Sequence, residues 1–162
     1  MSLARRKAIL PSLMLSTLLL GGTAGAGEFS YQVPMERKSL ATYYVRGDVG
    51  GVRDIELMVD TGASYMTINE ELLAVLESSG KAEYVRDLTG VMADGSRMRV
   101  SVYRIDEITV GDGCTLRNVE AALFPRQTRM LLGLSALKKA APFVFSTNPP
   151  ALHLSNCTPT SS

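Results

Sequence analysis

Asp60 ends the apolar run Leu57-Met58-Val59 and is followed at once by Thr61-Gly62-Ala63-Ser64. A carboxylate at the end of a buried strand is costly to desolvate unless it has partners or a task. Its chemistry is that of an acid or a base: ionised, it takes a proton from water; protonated, it gives one to a carbonyl oxygen or a leaving group. Thr61 suits a turn and Gly62 permits close approach of the backbone, although both also occur in ordinary loops. Other chemistries find less in the chain. The single histidine, His153, lies in a terminal strand-like run, and no G-x-S-x-G stands anywhere to make it the base of a serine hydrolase. No spacing singles out a pair of carboxylates for glycoside hydrolysis. Cys114 and Cys157 are too far apart for a C-x-x-C motif, and one histidine leaves a zinc site almost without ligands. No metal and no cofactor is expected.

The elements that must position Asp60 begin after residue 26. Arg5-Arg6-Lys7, the mostly apolar stretch 8–20 and Ala24-Gly25-Ala26 follow the pattern of a secretory signal peptide. The apolar run is short for a membrane span and is broken by Pro11, Ser12, Ser16 and Thr17. Export is therefore expected, to the periplasm first and to the medium as the alternative, with no membrane span once residues 1–26 are removed. The formal net charge is +1, so no basic field points to nucleic acid. In an exported chain Cys114 and Cys157 are either a disulfide or two separate thiols.

Residues 27–41 read as a lead-in segment, loose or an edge strand; 42–157 as one domain; 158–162 as a flexible tail. "TYYVRG" and "VRDIELMV" make a hairpin around Gly47–Gly51. "INEELLAVLESSG" changes period: Asn69 caps, Glu70 and Glu71 suit a first turn, Leu72, Leu73, Val75 and Leu76 form an apolar stripe, and Gly80 stops the helix. "YVRDLTGVM" and "RMRVSVYRI" flank the turn Ala93-Asp94-Gly95-Ser96, and Met98, Val100, Val102 and Ile105 alternate with polar residues. "DEITVGDGCTLRNVEAALF" is a further hairpin. "MLLGLSALKKA" is a buried strand end, a glycine and a short helix, and "FVFS" with "ALHLS" closes the chain as a last hairpin. The arginines 86, 97, 99 and 104 read as a solvated sheet face. The fold class is mostly β, with one or two short helices.

In order and spacing, "LMVDTGAS", the hairpin "VMADGSRMRV", the pair "DEITVGDGCTLRNVEAALF" and "MLLGLSAL" resemble the retropepsin-like aspartic proteases, within them the exported single-domain bacterial type. The resemblance covers about residues 42–155 and implies a closed β-barrel of the acid-protease fold, one lobe per chain. It implies that Asp60 is catalytic and that Thr61 interlocks with its mate across a dimer. Gly62 and Ala63 would lie beside the substrate, with Ser64 completing the active-site loop. Asp94, Gly95 and Ser96 correspond to the flap tip, and Leu131, Leu132 and Gly133 to the support of the active-site loop. Retroviral members commonly carry an acid at the position of Ser64 and an arginine at that of Leu134. Both are absent here together, which removes that pair's hold on the substrate ends and the dimer rim and leaves the carboxylate chemistry intact.

Two carboxylates about 3 Å apart do not both ionise; they share one proton, so one acts as base and the other as acid. The chain has one D-T-G, and Asp94-Gly95 and Asp112-Gly113 lack its threonine. The second carboxylate must then come from a second copy, across a two-fold axis that sets Asp60 opposite its mate. The expected protein is a homodimeric aspartic endopeptidase acting on peptide or protein substrates, with Val91, Met92, Met98 and Leu132 as apolar pocket walls. The rival is a dimeric peptide-binding module of the same fold that captures extended peptides by strand addition without cutting; it has no need of both Asp60 and Thr61. The export reading has its own check: N-terminal sequencing of the exported protein should begin at Gly27 or within a few residues, and a full-length, membrane-extracted chain would contradict it.

Overall fold

The computed structural model describes residues 29–159; the signal sequence read at residues 1–26 lies outside them. The expected first hairpin is β3 (Tyr43–Val49) and β4 (Val52–Val59), paired with Tyr44 opposite Met58. It is preceded by two short strands, β1 (Tyr31–Pro34) and β2 (Glu36–Arg37). After the Asp60 turn, β5 (Met66–Asn69) leads into α1 (Glu70–Ser78), where the Asn69 side chain accepts the Leu72 amide at 2.9 Å. Leu72, Leu73 and Leu76 are buried, but Val75 is exposed. At about 100° per residue, position 75 falls off the face that 72, 73 and 76 share, so the apolar stripe is narrower than the sequence suggests.

β6 (Ala82–Val91) and β7 (Arg97–Val110) form the long hairpin, with Val91 opposite Arg97 at its tip end. The sequence reads Arg97–Ile105 and Asp106–Val110 as arms of two hairpins; they are one strand, which pairs with β6 near the tip and with β3 and β8 (Cys114–Phe124) further on. β9 (Leu131–Leu132) and α2 (Leu134–Leu137) follow, and β10 (Phe143–Thr147) and β11 (Pro150–Leu154) make the last hairpin.

One sheet runs β8-β5-β9-β4-β3-β7, and the additional β7–β8 pairing curls these six strands back on themselves, consistent with the barrel that the resemblance implies. Its interior is filled by side chains with essentially no exposure, among them Leu57, Met66, Ile68, Ile105, Ile108 and Leu132. A second, three-stranded sheet has β1 from the lead-in as its edge, beside β11 and then β10, with Val33 and Leu152 buried against the main core.

Cys114 and Cys157 form a disulfide 43 residues apart in sequence. It holds the next residues against β8: Thr158–Pro159, assigned from sequence to the flexible tail, pair as β12 with Thr115 and Cys114. Residues 160–162 lie outside the described residues. Among the described residues no helix is long and apolar enough to cross a membrane, and no group of three or more His, Cys, Asp or Glu stands together as metal ligands. Closing a loop of this length removes unfolded-state entropy worth roughly 3–4 kcal/mol. A Cys114→Ser/Cys157→Ser variant should lose about that much in urea unfolding, and reduction of the wild type should reproduce the loss.

Candidate active site

β4 pairs in parallel with β9, Met58 beside Leu131 and Val59 beside Leu132, and the chain leaves the sheet one residue later. The Asp60 amide still donates to the Leu132 carbonyl at 3.2 Å, which fixes where the turn begins. Asp60 Oδ1 accepts the Gly62 amide at 2.9 Å, and the Ala63 amide donates to the Asp60 carbonyl at 3.4 Å. The side chain is thus oriented by its own turn. It is half-buried, while Thr61, Gly62 and Ser64 are exposed.

The returning segment locks against the same turn. A methyl group built on Gly133 would lie 2.1 Å from the Tyr65 carbonyl oxygen and 2.9 Å from that of Ala63, so the contact admits glycine alone. Where the resemblance leads one to look for an arginine, the Leu134 amide donates to the Ala63 carbonyl at 2.8 Å. Side-chain hydroxyls complete the lacing. Ser135 Oγ accepts the Met66 amide at 2.8 Å and donates to the Glu120 carbonyl at 2.6 Å. The buried Thr67 hydroxyl accepts the Leu131 amide at 2.9 Å and donates to the Arg129 carbonyl at 3.2 Å. Ser135 and Thr67 were not read from the sequence, where a hydroxyl inside an apolar stretch carries no distinctive signal.

Between this turn and the β6–β7 hairpin lies a cleft of about 530 Å³. Tyr65, Leu88, Val91, Met92 and Phe124 are among its walls, and no charged side chain lines it among the described residues. Asp60 adjoins the cleft through Gly62, whose amide its carboxylate accepts. The hairpin tip is tightly turned: the Met92 amide donates to the Ser96 carbonyl at 2.8 Å, the Gly95 amide to the Met92 carbonyl at 2.9 Å, and Gly95 has φ +82°. Hydrogen bonds from the Ser96 hydroxyl and amide hold the Asp94 carboxyl below the usual carboxylate range.

The family model for aspartyl proteases matches residues 45–136, more than half of the chain. The chain belongs to the aspartyl protease family. Among solved structures, a retropepsin-like aspartic protease from Rickettsia conorii matches with a TM-score of 0.57 and 24% identity, over 76% of this chain and 89% of that one. At that identity the likeness establishes the fold. No curated protein matches the chain.

Within this aspartyl protease the residues read from the sequence divide into two groups. Asp60 to Ser64 and Leu131 to Gly133 come together as one interlocked pair of segments. Asp94, Gly95 and Ser96 form the hairpin tip but do not line the cleft, which the hairpin faces through Leu88 to Met92. Two pocket assignments change. Leu132 is fully buried and Leu131 lines the cleft instead, because neighbours on a strand face opposite ways. Met98, one step nearer the hairpin tip than Val100, is not a wall, whereas Val100 is. Tyr65, Leu88 and Phe124 are walls that the sequence reading missed.

Gly133→Ala tests the interlock. With backbone rather than a flexible side chain in the way, it should destabilise the protein by about 3 kcal/mol, read as a lower urea midpoint. An unchanged midpoint would show that the two segments part easily.

Proposed function

We propose that the protein is an exported homodimeric aspartic endopeptidase in which each chain contributes Asp60 to one shared site. The observation that carries this reading is the presentation of Asp60 in a family chain with one D-T-G: the carboxylate is held by its own turn, and Thr61 beside it is exposed. A second copy related by a two-fold axis brings Asp60 to Asp60 and Thr61 to Thr61.

In the shared site the ionised carboxylate takes a proton from a water held between the pair, and the oxygen attacks the peptide carbonyl carbon. The protonated carboxylate gives its proton to the carbonyl oxygen. Collapse of the tetrahedral intermediate breaks the C–N bond: the first carboxylate returns its proton to the departing amine, and one of the two hydroxyls re-forms the carbonyl and gives its proton back to the second carboxylate, which restores the singly protonated pair. The turn hydrogen bond from the Gly62 amide fixes one oxygen of each carboxylate, so the geometry is prepared before substrate arrives. Peptide lies extended under the β6–β7 hairpin, and the uncharged cleft takes an apolar side chain. Neither metal nor cofactor enters this scheme. The Cys114–Cys157 disulfide supports export, since such bridges persist in oxidising compartments. In this reading residues 1–26 are removed and 42–157 are the working domain.

Asp60→Asn should abolish peptide cleavage by several orders of magnitude, with the fold intact by circular dichroism. Mixing wild-type and Asp60→Asn subunits in equal amounts, with dissociation and random reassociation, should leave roughly a quarter of the activity of the same total of wild type, because only dimers with two carboxylates work. Sedimentation at the assay concentration checks that the protein is dimeric there, and co-purification of untagged wild type with a tagged Asp60→Asn chain checks that subunits have exchanged. A value near half would refute the shared site, and full activity in the Asn variant would place the chemistry elsewhere.

A further inference from the structure

An ion pair closes one end of the otherwise uncharged cleft. On β6, Arg86, Leu88 and Gly90 share one face, and on β8 so do Glu120, Ala122 and Phe124. Leu88, Gly90, Ala122 and Phe124 line the cleft; Arg86 and Glu120 are the next members of the same two rows. The guanidinium meets the carboxylate as a fork, Nη1 to Oε1 at 3.0 Å and Nη2 to Oε2 at 2.7 Å. Nη2 also donates to the phenol oxygen of Tyr65 at 3.0 Å. Tyr65 is a cleft wall, and its main chain is pinned under Gly133. One guanidinium thus joins the hairpin stem, the cleft floor and the active-site loop.

We infer that Arg86 is a positioning residue that holds the Tyr65 ring as the end wall of the cleft and so limits the size of the substrate side chain admitted there. The inference rests on the reading of this cleft as the peptide site. Both charged groups are partly exposed, with side-chain exposures of 43% and 34%, and a pair of that kind adds little to stability. What a bidentate fork supplies is direction, and here one of its nitrogens also holds a ring that would otherwise turn about χ1. Hydrogen bonding from Arg86 holds Glu120 below the usual carboxylate range. The pair therefore keeps its charges as pH falls past the range of ordinary glutamates, and is lost only below that.

The test uses binding, so that it does not depend on cleavage. Calorimetry with the Asp60→Asn protein would compare extended peptides carrying leucine, phenylalanine or tryptophan at each position in turn. Adding Tyr65→Ala should raise the tryptophan-to-leucine affinity ratio roughly tenfold at one peptide position. Adding Arg86→Ala instead should raise the ratio at that same position, by roughly threefold, as a freed ring yields part of the space. Arg86→Lys should not restore the original ratio, because one ammonium cannot bond both carboxylate oxygens and the phenol. Arg86→Ala should add nothing once Tyr65 is alanine, and its melting temperature should stay within a few degrees of the parent. An unchanged ratio in Arg86→Ala, an effect that survives in the Tyr65→Ala background, restoration by lysine, or no peptide binding at all would overturn the inference. If the variants show these ratios and the protein with Asp60 intact cuts none of the series, the wall stands and the endopeptidase reading is overturned.

Discussion

The backbone of Gly133 lies against the carbonyls of Tyr65 and Ala63 at a distance that no side chain permits. That contact brings two remote segments into register, so that β4 and β9 run parallel for two residues and end together beside Asp60. Parallel strands cannot be joined by a tight turn. Here the chain between them builds α1, the long hairpin and β8 before it returns. The carboxylate is therefore carried by strands from two distant parts of the sequence, and the cleft is bounded by what lies between them. If the glycine contact opens, Leu134 loses the Ala63 carbonyl, and the tie through Ser135 between Met66 and Glu120 is strained with it.

Polar groups around the site are disposed in two ways. Those beneath it, Thr67 and Ser135, each both accept and donate, and no buried side-chain nitrogen or oxygen among the described residues lacks a partner. Satisfied in this manner, they fix the loops without the cost of an unpaired buried group. Those nearer the surface are charged: Arg86 with Glu120 at the end of the cleft, both partly exposed, and Arg99 with Asp87 on the opposite face of the hairpin, where Arg99 is largely exposed. The hydroxyl of Ser101 and then Arg99 hold Asp87 below the usual carboxylate range, so the stem retains that tie in mild acid. The arginines that read from sequence as a solvated face are in part a set of such cross-strand ties.

Most of the hairpins and the D-T-G turn were legible because they rest on local chemistry: alternation, turn residues, and an acid at the end of an apolar run. Asn69 as a cap and Gly95 as a left-handed turn residue belong to the same class. Features that depend on which face a residue presents in three dimensions were not. Leu131 and Leu132 look equivalent in a two-residue strand, yet one lines the cleft and the other fills the core. Val75 looked like core until the helix was placed on its sheet. Tyr65 escaped notice because its role comes from Arg86 and Glu120, 21 and 34 residues apart from their partners in sequence. Gly133 was visible as a residue, but the reason for it, two carbonyls from another segment, was not.

The two ends of the described chain meet: Tyr31 pairs with Leu154, and Val33 with Leu152. β1 is the first strand of the described chain, yet it has no partner until β11 has been made. The β3–β4, β6–β7 and β7–β8 pairings can form as the chain lengthens, each from segments close in sequence. The small sheet and the Cys114–Cys157 bridge cannot, because both wait for residues beyond 149. Long-range pairings of this sort are slow to form. A chain cut short before Leu152 would leave Val33 and the underside of the barrel bare, a sticky surface that quality-control proteases can recognise before the enzyme has cut anything itself.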